Sequence, residues 1–471
     1  MLEVLFTKNA PSTMMVKVVV MLEGKVAKAD FLTIEEAKLV KKSIKQANFN
    51  GKANQFLEIY GGKTKIVIIG LGNPQIDADI QNVGKFLFKK LAFDEAAYIM
   101  SNDENIALNL AYGVLLGSYS FDKYKTEKKA DDFAKLEQIV LQVNEPKKTT
   151  KDFKPYIALV NGVRYCKDLC NEPANYLTPE VFAADIKRLE YLGLDVEVFD
   201  SEQIKLKGLG LIEAVGKGSI NLPKVVVVSW KGNRADGTYD LGLVGKGVCF
   251  DSGGLLLKSN TGMLEMKMDM TGAAVVVSVM KAVALQRVRK NLVAVVGLIE
   301  NMPSSNAMKI GDVYASYSGK TVEIRNTDAE GRLVVADCLS YLQKNYEAKR
   351  IIDVATLDSL RTVLGNVYAG LFSNDDKLAK QLIKSGDNVC EKLWVMPLDN
   401  EYDVMLKSLV ADIKNISSDG CASIVYAAFL NRFIEKGQKW AHIDISGVHL
   451  EDDDYASGFG VRLLNEFIKW L

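Results

Sequence analysis

The chain has 471 residues, enough for two or three domains, and its 48% hydrophobic and 25% charged content is that of a globular protein with ample core. Lys+Arg and Asp+Glu both number 59, so the formal net charge is zero and general attraction to nucleic acid or anionic membrane gains no support. There are only two histidines, His442 and His449, which excludes HExxH zinc sites and all multi-histidine metal sites and makes a Ser-His or Cys-His triad improbable.

No apolar run reaches the ~18–20 residues that span a bilayer. The N-terminus Met1-Leu2-Glu3-Val4 lacks a basic segment followed by an apolar one. A cytoplasmic protein without membrane attachment is expected. Six cysteines in this length do not suggest a disulfide framework. Cys166 and Cys170 read as two small core residues on one helix face.

In chain order, residues 16–22 and 65–69 read as strands and 80–91 as a helix. Gly70-Leu71-Gly72 follows a strand, but Gln75 stands where a dinucleotide-binding turn needs its third glycine, so it is discounted. Residues 123–154 are rich in charge and carry Asn144-Glu145-Pro146-Lys147-Lys148. They read as a linker between a small α/β domain, residues 1–150, and a larger one, residues 151–471. A helix is expected over 157–170, and Thr178-Pro179-Glu180 is a helix start with an N-cap before proline. Strand-like runs at 195–199, 225–230, 241–245, 292–299, 350–355 and 441–445 then alternate with helical runs at 270–285, 333–342 and 422–434. The alternation and the Val/Ile-rich strands predict a largely parallel sheet flanked by helices.

The most informative string is Asn326-Thr327-Asp328-Ala329-Glu330-Gly331-Arg332-Leu333, between a strand-like and a helical run. A loop at a strand's C-terminal end is where α/β sheets place ligands. Asp328 and Glu330, two apart in a loop, can converge on one point, and the usual reason to crowd anions is a bound cation. Arg332 is then left to hold an anionic ligand beside it. Upstream stand Gly245-Lys246-Gly247 and Asp251-Ser252-Gly253-Gly254, with Lys258 just beyond, and then Met266-Lys267-Met268-Asp269. Singly, each has a plain reading. Asp251 could belong only to a turn, Asp269 could cap the next helix, and Lys246 could be a solvated loop lysine.

Together, in this order and spacing, they resemble the leucyl aminopeptidase (cytosol aminopeptidase) family of two-metal exopeptidases over residues 155–471, with the octapeptide intact. The resemblance implies that Asp251 and Glu330 each contact both metals, with Asp328 completing one site and Lys246 and Asp269 the other. It implies zinc, with manganese or magnesium accepted in the exchangeable site; oxygen-rich ligation suits that tolerance. It makes Lys258 and Arg332 the catalytic residues. Lys258 would polarise the substrate carbonyl, and Arg332 would hold a bicarbonate ion as general base with Gly331 and Leu357. Substrate-binding positions would be Lys258, Met266, Asp269, Thr356, Leu357 and Ser359. The implied activity is release of leucine or other apolar N-terminal residues from short peptides by a homohexamer, a dimer of trimers. Asp358-Ser359-Leu360 and Ser417-Ser418-Asp419 depart from the family pattern near the pocket, which bears on specificity more than on the reaction. A two-metal phosphoesterase and a scaffold or DNA-binding protein that has lost its chemistry are the rival readings.

Overall fold

The computed structural model describes residues 2–10, 16–25, 31–61, 64–101, 103–127, 134–233, 237–357, 360–417, 422–451 and 455–471. They form two compact units, Met1–Val160 and Asn161–Leu471.

The first unit is built on a six-stranded sheet in the order Glu3–Thr7, Gln138–Gln142, Ala96–Met100, Val16–Leu22, Thr64–Gly72, Phe56–Gly61, parallel except for the last strand. Side chains alternate across a strand. Val18, Val67 and Ile69 meet Val83, Leu87 and Leu110 of helices Asp77–Leu91 and Glu104–Gly117 on one face. Val19, Ile66 and Ile68 meet Val40 of helix Ile34–Gln46 on the other. Both faces are covered, so these strands read as unbroken apolar runs. Gly70 and Gly72 end the strand Thr64–Gly72.

The expected linker is partly a helix. Residues 146–154 open a single helix, Pro146–Asn171, which also contains the helix expected at 157–170. Proline is tolerated in a helix's first turn. Thr149, Phe153 and Val160 give the helix a buried stripe, while the charged residues between them face out. Cys166 and Cys170 are free and buried.

The second unit carries an eight-stranded sheet in the order Lys392–Val395, Tyr368–Ser373, Trp440–Asp444, Ile351–Ala355, Leu241–Asp251, Asn291–Asn301, Lys224–Lys231, Asp195–Phe199. The four central strands are parallel. Strands beyond them on both sides join antiparallel. One face is covered by helix Gly331–Asn345, where Leu333, Val334 and Leu339 share a core with Val244, Val248, Val293 and Val295. Helix Thr271–Gln286 is apolar all round and buried, as such a helix must be. It belongs to the one described helical stretch, Asn260–Gln286, that is long and apolar enough to cross a membrane, and 89% of that apolar window is buried inside the protein. A small sheet of Val313–Ala315, Thr321–Glu323 and Ile413–Lys414 brings residue 415 beside the octapeptide loop.

Candidate active site

The site lies at the C-terminal ends of the parallel strands. Strand Leu241–Asp251 is longer than its sequence suggests. It pairs with Asn291–Asn301 along its whole length, Lys246 opposite Gly297 and Asp251 opposite Asn301, with a bulge between Ile299 and Glu300. Lys246 is therefore a strand residue, 3% exposed, and not a solvated loop lysine. The flanking glycines suggested a loop; they stand where the strand packs too closely for side chains.

Lys246 reaches across to the start of helix Gly331–Asn345. A Cβ on Gly331 would sit 2.3 Å from Lys246 Cε and would push the lysine's end from this position. Lys246 Nζ donates to Asp269 Oδ1 at 2.5 Å and to the Thr356 carbonyl at 2.6 Å, and lies 3.2 Å from Glu330 Oε1. Asp269 also accepts from Thr356 Oγ1 at 2.8 Å. It does not cap the following helix, whose N-cap is Met270 with no side-chain bond.

Asp251 ends its strand. Its Oδ1 accepts from Gly253 N at 2.9 Å and Asn301 Nδ2 at 2.8 Å. Gly253 has φ +86°, which the sharp turn requires. Lys258 Nζ lies 2.8 Å from Asp251 Oδ2 and 2.5 Å from Asp328 Oδ1. Thr327 Oγ1 donates to the Gly253 carbonyl at 2.7 Å and accepts from Leu256 N at 2.9 Å, tying the two loops together. Asp251, Asp328 and Glu330 each bring one oxygen into a group within 4.8 Å.

Charge balance decides what this cluster can hold. Four carboxylates face two ammonium groups. Burial opposes the charge on Lys246, but Asp269, Glu330 and Asp251 outweigh it and hold the ammonium form well above its ordinary range. Lys258 behaves the same way, with Asp251 and Glu330 outweighing burial. Burial and repulsion by Asp251 push Glu330 up to about 8, and burial pushes Asp269 up to about 6 against the pull of Lys246. Glu330 Oε2 and Asp269 Oδ2 are buried with no hydrogen-bond partner among the described residues. Buried anionic oxygens in surplus over cations are the donor set that hard divalent cations need, so the residues fit a metal site.

Arg332 is buried, donates to the Asn415 carbonyl at 2.6 Å and has its guanidinium carbon 3.3 Å above the centre of the Tyr426 ring. Asn415 fixes the octapeptide loop. Its side-chain oxygen accepts from Arg325 N and Asn326 N, and its amide donates to the Asn326 and Ala329 carbonyls.

A cavity of about 360 Å³ opens over these groups. Of the expected substrate positions, Lys258, Met266, Asp269, Thr356 and Leu357 line it, as does Gly331. Ser359 lies outside the described residues, with Asp358, Ser418 and Asp419. The structure adds residues that sequence reading missed. Tyr426, Arg361, Ser446 and His449 also line the cavity, and Asn301 and Asn415 hold its ligand loops. His449 could have been flagged only by its rarity. Burial, with repulsion by Arg361 and Lys246, holds its pKa below the usual histidine value.

Sequence models of the cytosol aminopeptidase family match twice: the catalytic domain over residues 164–465 and the N-terminal domain over residues 18–128. The chain belongs to the cytosol aminopeptidase family. Its activity class is that of an aminopeptidase, a hydrolase. Proteins named "Probable cytosol aminopeptidase" from Phytoplasma mali (strain AT) and Rickettsia peacockii (strain Rustic) are 39% and 42% identical to it, over 93% and 92% of this chain and 92% and 91% of theirs. Among solved structures, a tomato leucine aminopeptidase mutant is similar with a TM-score of 0.89 at 28% identity, covering 100% of this chain and 97% of its own. The bottromycin maturation enzyme BotP in complex with Mn is similar with a TM-score of 0.85 at 29% identity, covering 97% of this chain and 99% of its own. The family match to the first unit supplies what its sequence alone did not, since the resemblance began only at residue 155.

Proposed function

We propose that this cytosol aminopeptidase family member hydrolyses the N-terminal bond of short peptides with two divalent cations held by Asp251, Asp269, Asp328, Glu330 and the amine of Lys246, whose ammonium proton an adjacent dication would displace. The observation that carries the reading is the surplus of buried carboxylate oxygen over ammonium at the strand ends. Such cations, zinc with manganese or magnesium at an exchangeable site, would supply a water nucleophile at neutral pH and a Lewis-acidic position for the lone pair of a free α-amine.

The protein's own groups do the rest. Lys258, held between Asp251 and Asp328, keeps its ammonium charge and would donate to a carbonyl oxygen as that oxygen becomes negative. Arg332, fixed by Asn415 and Tyr426, would hold a bicarbonate ion with the backbone of Gly331 and Leu357, and that ion would supply a general base. Met266, Met268 and Leu357 give the cavity an apolar wall against which leucine and similar side chains can lie. Ser359 is retained as a candidate substrate-binding residue. A cytoplasmic homohexamer, a dimer of trimers, completes the reading.

The test is hydrolysis of leucine p-nitroanilide against p-nitrophenyl phosphate, each with and without manganese. Metal-dependent release from the anilide alone is expected. Phosphatase activity alone, or no turnover of either, would overturn the reading.

A further inference from the structure

The cavity wall has a second character. Beside the apolar Met266, Met268 and Leu357 stand Arg361, Ser446 and His449. These three come from the chain just past two neighbouring strands, Ile351–Ala355 and Trp440–Asp444. Ile445 N donates to the Ala355 carbonyl at 2.9 Å, and His449 N to the Ile445 carbonyl at 3.0 Å, so a turn folds over the strand ends. The turn packs on the Arg361 segment: a Cβ on Gly447 would lie 3.4 Å from Arg361 Cα. Thr356, whose carbonyl holds Lys246, is five residues before Arg361.

Arg361 is exposed, and among the described residues its guanidinium and His449 Nδ1 keep hydrogen-bonding capacity that a ligand could use. The Arg361 guanidinium has no ion pair or hydrogen bond among the described residues. His449 Nδ1 is buried without a partner. Among the described residues, Glu265 is the one carboxylate lining the cavity outside the proposed ligand set, and it makes no ion pair with Arg361. An apolar side chain filling this space would strip water from the guanidinium and return nothing. A carboxylate or amide at the tip of a side chain can meet a guanidinium in two parallel N–H···O bonds.

The geometry points to Arg361 and His449 as the groups that read the tip of the substrate's N-terminal side chain, so that the enzyme takes residues with an apolar stem and an acceptor tip, glutamate foremost, beside purely apolar ones. This rests on the aminopeptidase reading above and narrows its substrate class. The stem methylenes of glutamate would lie along Met266 and Leu357, and the shorter aspartate would reach the guanidinium less well.

The test uses the full-length, manganese-loaded enzyme and the peptide amides X-Ala-Ala-NH2, with X as Glu, Gln, Asp, Leu or Lys, alongside the free acids X-Ala-Ala. The amide removes the C-terminal carboxylate, a competing partner for a guanidinium. Wild type should cleave the glutamyl peptide, and Arg361→Gln should lower the Glu/Leu ratio of kcat/KM about ten-fold or more, mostly through KM. Arg361→Glu should move preference towards lysine, and His449→Met should lower the Gln/Leu ratio. A Glu/Leu ratio that stays within about two-fold in Arg361→Gln overturns the inference, as does an Arg361 effect confined to peptides with a free C-terminal carboxylate. If the leucyl amide is cleaved and the ratio does not move, only this inference falls. If no peptide is cleaved with manganese, zinc or magnesium, the aminopeptidase reading falls and takes this one with it.

Discussion

Two buried polar clusters lie on neighbouring strands of one sheet, and they are opposites. In the middle of the sheet, Asp353 Oδ1 meets His442 Nδ1 at 2.6 Å and Asp353 Oδ2 accepts from Trp440 Nε1 at 2.7 Å. The His442 ring stacks between Phe372 and Trp440. Both carboxylate oxygens have partners, and nothing about the cluster calls for a ligand. At the strand ends, Asp251, Asp269 and Glu330 are just as sequestered and Asp328 is 31% exposed, yet Glu330 Oε2 and Asp269 Oδ2 have no partner among the described residues. Burial alone does not mark a site. A surplus of charge and unmet hydrogen-bonding capacity does.

The sharpest way to break this contrast is to remove a carboxylate's charge from each cluster. Glu330→Gln or Asp251→Asn, assayed with saturating manganese, should lose on the order of 10³-fold or more in turnover, because a proposed metal ligand would be gone. Metal-free Glu330→Gln should nevertheless unfold at the same or a higher urea concentration than the metal-free parent, since burial and repulsion by Asp251 already disfavour the Glu330 carboxylate. Near-normal turnover in both variants would contradict the site.

Asp353→Ala should do the reverse. It strips the partner from a buried histidine and an indole N–H and should cost about 3–5 kcal/mol in urea denaturation. Variant that still folds should keep its metal stoichiometry. A loss of metal with unchanged stability would mean that the two clusters had been misjudged.

Lys258→Ala and Arg332→Ala sharpen the division within the site itself. Neither is a proposed metal ligand, so elemental analysis should find the parent's metal content in both while kcat falls by about 10²–10³-fold. Arg332→Ala should also lose any activation by added bicarbonate. Depleted metal in either variant would require new roles for these residues.

Much of this was legible in the sequence because local chemistry and final position agree. The central strands announce themselves as apolar runs because both faces are covered, and the octapeptide keeps its acids, glycine and arginine in one loop. What was hidden depends on distant segments. Lys246 looked like a loop residue because glycines flank it, yet those glycines admit neighbouring elements to a strand. Strands Tyr368–Ser373 and Lys392–Val395 were missed; the second is a short edge strand with a single buried residue, Leu393. Residues 146–154 looked like a linker because their charges outnumber the two side chains, Thr149 and Phe153, that turn inward. Asn415, Tyr426, Arg361 and His449 reach the site from separate parts of the chain, and no local pattern marks them.

The most direct test is calorimetric titration of manganese into the metal-free full-length protein, with Glu330→Gln alongside. The account predicts that the parent binds two manganese ions per chain and that the variant binds fewer, or binds them much more weakly. A parent that binds none, or a variant whose titration overlays the parent's, would contradict it.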